Sequence, residues 1–220
     1  MDNAMGGTTR GAVGRTIAEL RKLLRHDEES AKWHSPKVRG DTDLNPSMRT
    51  PDKLREAAVL VPLVERFDRI TIIFTRRTAH LATHAGQISF PGGHIEPEDA
   101  NPEAAALRET EEEIGLSRVH VELLGRLDTY ITRTGFRVTP VVGVVRPPFH
   151  LTPDPHEVAE VFEVPLAVIL DPALPRRESR AVLGIPRVFY SFPYRSDTIW
   201  GATAGMLVNL REVLGVLPKW

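Results

Sequence analysis

Compact apolar runs alternate along this chain with stretches that are polar almost throughout. Residues 57–64, AAVLVPLV, and 69–77, RITIIFTRR, are short and rich in β-branched residues, and both predict strands. Residues 119–132, VHVELLGRLDTYIT, and 136–145, FRVTPVVGVV, predict two more, and Arg133-Thr134-Gly135 between them suggests an antiparallel hairpin. EVFEVPLAVIL (160–170) reads as a strand or a strand–helix junction, and RVFYSFPYRSDTIW (187–200) as a hairpin turning at Arg195–Asp197. Apolar spacing changes to the helical period in TIAELRKLLR (16–25), through Ile17, Leu20, Leu23 and Leu24. It does so again in GATAGMLVNLREVLG (201–215), where Met206, Leu207, Leu210, Val213 and Leu214 share one side. Residues 1–15 read as unstructured, 27–53 as an irregular connector, and 78–102 as a long loop of the kind that compact domains keep for function. This order predicts an α/β layered domain with a mixed sheet over residues 55–220, preceded by an extension over 1–54.

The 220 residues are 41% hydrophobic and 26% charged, enough apolar material for one sizeable core. A formal net charge of −1 gives no bias toward nucleic acid or an anionic membrane, and no apolar run is long enough to span a bilayer. Cysteine is absent, which removes disulfides, thiolate metal sites and a cysteine nucleophile together. The N-terminus lacks the apolar centre of a secretory signal, so a cytoplasmic setting is expected. The C-terminal Pro218-Lys219-Trp220 is not a Ser-Lys-Leu address.

One segment carries charge where physics disfavours it. ALRETEEEIGL (106–116) places Glu109, Glu111, Glu112 and Glu113 ahead of a helix-stopping glycine. Asn101 as N-cap, Pro102 at the first helical position and Gly115 as left-handed closure predict a helix over 102–114. At about 100° per residue, Glu109, Glu112 and Glu113 share one stripe, with Leu107 and Ile114 nearly opposite and facing the core. Glu111 falls beside the apolar side as a solvated edge residue. Each like-charge pair on the stripe costs roughly 0.2–0.5 kcal/mol, and the negative helix end adds to that. Arg108, four residues before Glu112, offsets part. A solvated acidic face is the bland reading; a bound Mg²⁺ among the carboxylates is the alternative that relieves the repulsion.

GHIEPEDANPEAAALRETEEEIGL (93–116) resembles the Nudix box, with Arg108, Glu109, Glu112, Glu113 and Gly115 matching in order. One extra residue before Arg108 puts Asp99 where a glutamate is usual, and Thr110 takes the usual apolar place. Both departures resemble the coenzyme A pyrophosphatase branch. That branch has a second signature upstream, which Ile73-Phe74-Thr75-Arg76-Arg77 and HAGQISFPGG (84–93) resemble with the spacing kept. Ala82 stands where that signature has arginine, and Thr78 where it has serine or alanine. TGFRVTPVVG (134–143) and HEVAEVFEVPL (156–166) also resemble family segments, so the likeness spans roughly residues 55–210.

The resemblance implies a Nudix-type α/β/α sandwich and hydrolysis of a diphosphate using Mg²⁺ or Mn²⁺. It makes Glu109, Glu112 and Glu113 the metal ligands, one of them doubling as base, and gives Arg108 the orientation of the carboxylates. Gly92 and Gly93 would allow backbone to approach phosphate or metal, the Gly93 carbonyl being a further ligand candidate. Glu157 is the candidate distal carboxylate, with Glu160 as rival and a plain loop glutamate as the alternative. Arg76, Arg77, His84, Gln87 and Ser89 are candidate substrate contacts. His80 and His84 are four apart, but the segment does not read as a helix and zinc is not expected. The implied substrate is coenzyme A or its derivatives, giving 3′,5′-ADP and 4′-phosphopantetheine. ADP-ribose, a dinucleotide or a nucleoside triphosphate is the alternative substrate, and a binding-only module the alternative class. No nucleic-acid or membrane partner is expected, and a homodimer is left open.

Overall fold

The computed structural model describes residues 16–24, 37–79, 86–182 and 184–215. The first fifteen residues, most of the polar stretch after residue 24, and His80, Ala82 and His84 lie outside the described residues.

The centre of the main sheet is β2 (Arg55–Glu65), which pairs in parallel with β8 (Phe136–Val145) from Arg55↔Phe136 to Val64↔Val145. Parallel strands need cover on both faces, and β2 is a near-continuous apolar run for that reason. Leu60 and Val64 face one core and Val61 and Leu63 the other. β3 (Ile70–Arg77) pairs antiparallel with β2 and with β9 (Val158–Pro165), which runs into the short helix α3 (Leu166–Ile169). Helix α2 (Pro102–Ile114) covers one face, burying Ala105, Ala106 and Ile114 against Ala58, Leu60, Ile73 and Val141. Helices α1 (16–24) and α4 (Gly201–Val213) cover the other. The result is the expected α/β/α sandwich with a mixed sheet. No described helix is long and apolar enough to cross a membrane.

The expected strands at 57–64, 69–77 and 136–145 form, as does the hairpin closed by Gly135 at φ 86°. Five details differ. Two short strands, β4 (Ile88–Ser89) and β5 (Gly92–His94), lie inside the stretch expected to be a loop, pairing with β3 and β2. The single strand expected over 119–132 divides into a 3₁₀ turn, β6 (Val121–Arg126) and β7 (Thr129–Ile131). It breaks at Asp128 because that buried residue bonds sideways, its N–H to Asn209 Oδ1 (2.8 Å) and its carboxylate to Arg39 Nε (2.7 Å). In α1, Ile17, Leu20 and Leu24 enter the core, whereas Leu23 is left exposed. Helix α4 is buried on more than one side: Val208, Asn209 and Arg211 are covered as well as Met206, Leu207 and Leu210. The Arg211 guanidinium caps the end of α3 by donating to the carbonyls of Ile169 and Asp171. Finally, a second, antiparallel sheet of β10 (Arg176–Val182), β11 (Ile185–Tyr194) and β12 (Asp197–Trp200) contains the expected 187–200 hairpin and one strand more.

The segment before residue 55 is bound into this architecture. β1 (Val38–Gly40) adds in parallel to β7, Arg39 reaches both Asp128 and Glu212, and Tyr130 donates its hydroxyl to Asp41 (2.8 Å). Asn45 bonds both backbone groups of Val188, so the connector ties the two sheets together.

Candidate active site

The glutamates are set by the ends of α2. Asn101 Oδ1 accepts the Ala104 N–H (2.8 Å), and Gly115 closes the helix at φ 68°. Between these ends the three glutamates share one side but not one environment. Glu112 is 60% exposed, Glu109 18% and Glu113 6%. Leu107, expected in the core, is half-buried, and Ala105 and Ala106 take its place. Thr110 fits the apolar position because its hydroxyl donates to the Ala106 carbonyl one turn back (2.6 Å), which satisfies it while fully buried. Glu111 is not simply solvated: it accepts from the Arg118 backbone N–H and guanidinium, which hold its carboxyl below the usual range.

β5 delivers two glycines against these carboxylates. The Gly92 N–H donates to Glu113 Oε2 (3.1 Å). A Cβ on Gly92, whose φ is 147°, would stand 2.4 Å from the Ala58 carbonyl oxygen; one on Gly93 would stand 2.3 Å from Glu109 Oε2. Glycine is therefore required at position 92 by the backbone of β2, and at position 93 it leaves room for the Glu109 carboxylate.

Arg108 organises the helix side. Its Nε and Nη2 grip Asp99 in a bidentate pair (3.1 and 2.9 Å), Nη2 also reaches the His94 carbonyl (3.0 Å), and Nη1 donates to both Glu109 (3.0 Å) and Glu112 (2.9 Å). Arg108, expected to offset part of the repulsion, bridges two of the three carboxylates. Among the described residues no group of three His, Cys, Asp or Glu side chains is set to hold a metal ion. Asp99 also accepts the Glu96 N–H (2.9 Å); with Arg108 beside it, its carboxyl lies below the usual range. The sequence marked Asp99 as a motif position, but its partner had to come from the fold.

Glu113 differs from the others. Burial pushes its carboxyl up to about 7, against the opposing effects of the Gly92 N–H and of Arg77, whose Nη1 lies 3.8 Å from Glu113 Oε1. Glu157 and Glu109 raise it further. Burial likewise raises Glu109, Arg108 opposes this, and Glu112 and Glu157 add to the rise. Glu157 is therefore within electrostatic reach of both, although exposed.

The loop carrying Glu157 is pinned from two sides. Thr152 and Asp154 donate their N–H groups to the last carbonyls of α2, those of Ile114 and Glu113 (2.8 and 2.9 Å). Thr78 holds the other side, its N–H on the Glu157 carbonyl and its hydroxyl on that of His156 (both 3.0 Å). Sequence reasoning passed over both supports. Asp154 was findable, because Asp-Pro-His is a side-chain-to-backbone turn and Asp154 Oδ1 accepts the His156 N–H (2.8 Å).

The remaining candidates divide. Successive residues of β3 point to opposite faces, so Arg77 meets Glu113 while Arg76 pairs with Glu160 (3.0 Å) and Asp197 (2.8 Å). Arg76 and the rival carboxylate Glu160 thus neutralise one another away from Glu113. Ser89 Oγ bonds Thr75 Oγ1 (3.1 Å), and the Gln87 carbonyl accepts the Arg77 N–H (3.0 Å), so both are engaged in the β3–β4 turn.

A carboxylate set with a buried, incompletely neutralised member, beside close-approaching backbone, has the chemistry of a hard divalent-cation site. Glu109, Glu112, Glu113 and Glu157 are the carboxylates that would have to hold such an ion. Comparison with known proteins accords with this. The NUDIX domain model matches residues 54–183. The uncharacterized Nudix hydrolase NudL of Citrobacter koseri is 41% identical over 186 residues, covering 83% of this chain and 90% of that protein. Nudix hydrolase 15, mitochondrial, of Arabidopsis thaliana is 35% identical over 199 residues, covering 86% and 70%. Among solved structures, the M. smegmatis Nudix hydrolase RenU shares the fold at a TM-score of 0.50 and 19% identity, over 76% of this chain and 89% of that one. Nudix enzymes generally use divalent metals, and with the family model covering more than half of its length this chain belongs to the Nudix hydrolases, as a pyrophosphohydrolase.

Proposed function

We propose that this enzyme hydrolyses the diphosphate of coenzyme A or its acyl and oxidised derivatives, yielding 3′,5′-ADP and a 4′-phosphopantetheine product, with Mg²⁺ or Mn²⁺ and in the cytoplasm. The observation that carries the reading is the meeting of two sequence signatures. The upstream one includes Arg77, the Nudix box supplies Glu113, and their charged groups lie 3.8 Å apart beside Gly92. Arg77 Nε is buried without a hydrogen-bond partner among the described residues, and its guanidinium is the proposed contact for a substrate phosphate. Gln87 directly precedes β4, Ser89 lies in it, and Gly92 and Gly93 belong to β5; with His84 these are the substrate-binding residues in this reading.

The divalent cation, when bound, neutralises phosphate charge and acidifies water. The protein's own part is positional. Glu109, Glu112 and Glu113 would hold the cation, with Arg108 bonding the first two. Glu157, on its pinned loop, is the group proposed to take the proton of the attacking water. The water oxygen bonds to one phosphorus, the bridging P–O bond breaks, and the two products leave as phosphate monoesters.

Incubation of the purified chain with Mg²⁺ or Mn²⁺ and coenzyme A should release 3′,5′-ADP. Its absence, with turnover of ADP-ribose, a dinucleotide or a nucleoside triphosphate in parallel reactions, would assign another substrate to the same chemistry.

The Glu113 carboxyl predicts a pH dependence. With a folded value of about 7 against an ordinary 4.5, it is largely protonated in the metal-free fold below about pH 7 and must ionise to bind a cation. Mn²⁺ affinity should therefore rise by roughly tenfold per pH unit up to about 7 and then level off. The folded value lies above the unfolded one, so metal-free stability from this group is greatest toward pH 5 and is lost as pH rises through 7. Thermal unfolding between pH 5.5 and 8.5, with and without Mn²⁺, checks both signs. A pH-independent affinity would remove Glu113 from the ligand set.

A further inference from the structure

The second sheet presents an open edge on one side. β10 pairs with β11 over seven consecutive positions without a bulge, from Arg176↔Ser191 to Val182↔Ile185, and among the described residues no strand pairs with its other edge. Six of its seven residues are exposed, so both of its faces are in solvent. The sheet is anchored at the far side: Phe192 and Ile199 are fully buried, Asn45 bonds β11, and Arg76 bonds Asp197 of β12. An edge of this length invites strand addition, and folds defend such edges with brevity, proline, bulges or charge. β10 has only the last of these, and the order of its charges is informative.

Arg176-Arg177-Glu178-Ser179-Arg180-Ala181-Val182 is complementary to its own reverse about Ser179. In an antiparallel pair of copies centred there, Glu178 faces Arg180 of the second copy, Arg180 faces Glu178, Arg177 faces Ala181 and Arg176 faces Val182. No like charges oppose one another. Moving the centre to Glu178 or Arg180 puts two glutamates or two arginines face to face, which is destabilising. The charge pattern therefore selects one register. Within a single chain Arg180 lies directly opposite Arg187, and neither meets a carboxylate among the described residues. Directly opposed residues share a face, so Glu178 of a second copy would enter the row holding that arginine pair, whose Arg180 guanidinium lies over the Trp200 ring at 5.8 Å from its centroid. A two-fold interface requires a surface complementary to itself, and this strand meets that requirement.

We propose that β10 is the self-association edge of this enzyme: two copies join β10 to β10 about a two-fold at Ser179, giving one six-stranded sheet closed by two Glu178–Arg180 pairs. This stands independently of the substrate. A single strand pair is a small interface, so association should be concentration-dependent and visible by sedimentation velocity of the full chain at about 100 µM. Glu178→Arg and Arg180→Glu should each weaken self-association by at least about tenfold, and their equimolar mixture should form a heterodimer, since the two strands are then of opposite charge. The double variant E178R/R180E should associate within about threefold of the natural chain. Arg180→Glu gains Arg187 as a partner, so its fold is retained, and thermal unfolding verifies this. A natural chain that stays monomeric, single variants that associate unchanged, or a double variant that fails to recover would each overturn the proposal.

Discussion

Glu112→Gln should lower the rate of diphosphate cleavage by on the order of 10³-fold while leaving the fold intact. The expectation rests on where this glutamate sits. It is 60% exposed and its recorded side-chain contact is Arg108 Nη1, which a glutamine oxygen can still accept. Under the proposed function, removing its charge removes a metal ligand without opening a cavity or orphaning a buried group, and the melting temperature should move by no more than about 2 °C. Glu109 and Glu113 are poorer probes, since one packs on Gly93 and the other is buried on the Gly92 N–H. Steady-state turnover with calorimetric unfolding on the same preparation separates the two effects. Turnover equal to that of the natural enzyme would instead favour a module that binds nucleotide without cleaving it.

Arg108→Lys is the second large effect, although it preserves charge. The guanidinium reaches Asp99 with two nitrogens, the His94 carbonyl, Glu109 and Glu112 at once. An ammonium has three donors radiating from one point and cannot span that set. Released carboxylates would shift by about an ångström, a displacement that costs on the order of 10²-fold in rate. The defect should appear mainly in kcat, because substrate-facing residues are untouched. Stability should respond with a defined sign. Arg108 holds the Asp99 carboxyl below its ordinary 3.8, so this pair stabilises the native enzyme above that pH and its contribution fades as pH falls through the lowered value. The gap between native and variant melting temperatures should accordingly be widest near neutrality and close in acid. A lysine variant with native kcat would show that Arg108 neutralises charge but does not position it.

Some of this could be read before any coordinates. Asn101, Pro102 and Gly115 state both ends of α2 through local rules, and the glutamate phase follows from the helical period. The apolar runs of β2, β3 and β8 announce strands because each is buried on both faces. Short strands were less visible. β4 and β5 hold two and three residues with two glycines among them, and exist because β3 and β2 offer them partners. β10 was hidden for the opposite reason: it buries almost nothing, so it leaves no alternation of apolar and polar positions.

The sequence by itself determined which groups the site contains, because helix phase and a two-glycine turn depend on neighbours a few residues away. The tertiary structure decided what each group became. Burial raised the Glu113 carboxyl to about 7 and left Glu112 in water, although one helix carries both. Strand alternation and packing sent Arg77 to the glutamates and Arg76 to Asp197. Desolvation and long-range pairing depend on residues tens of positions apart, and no local pattern encodes them.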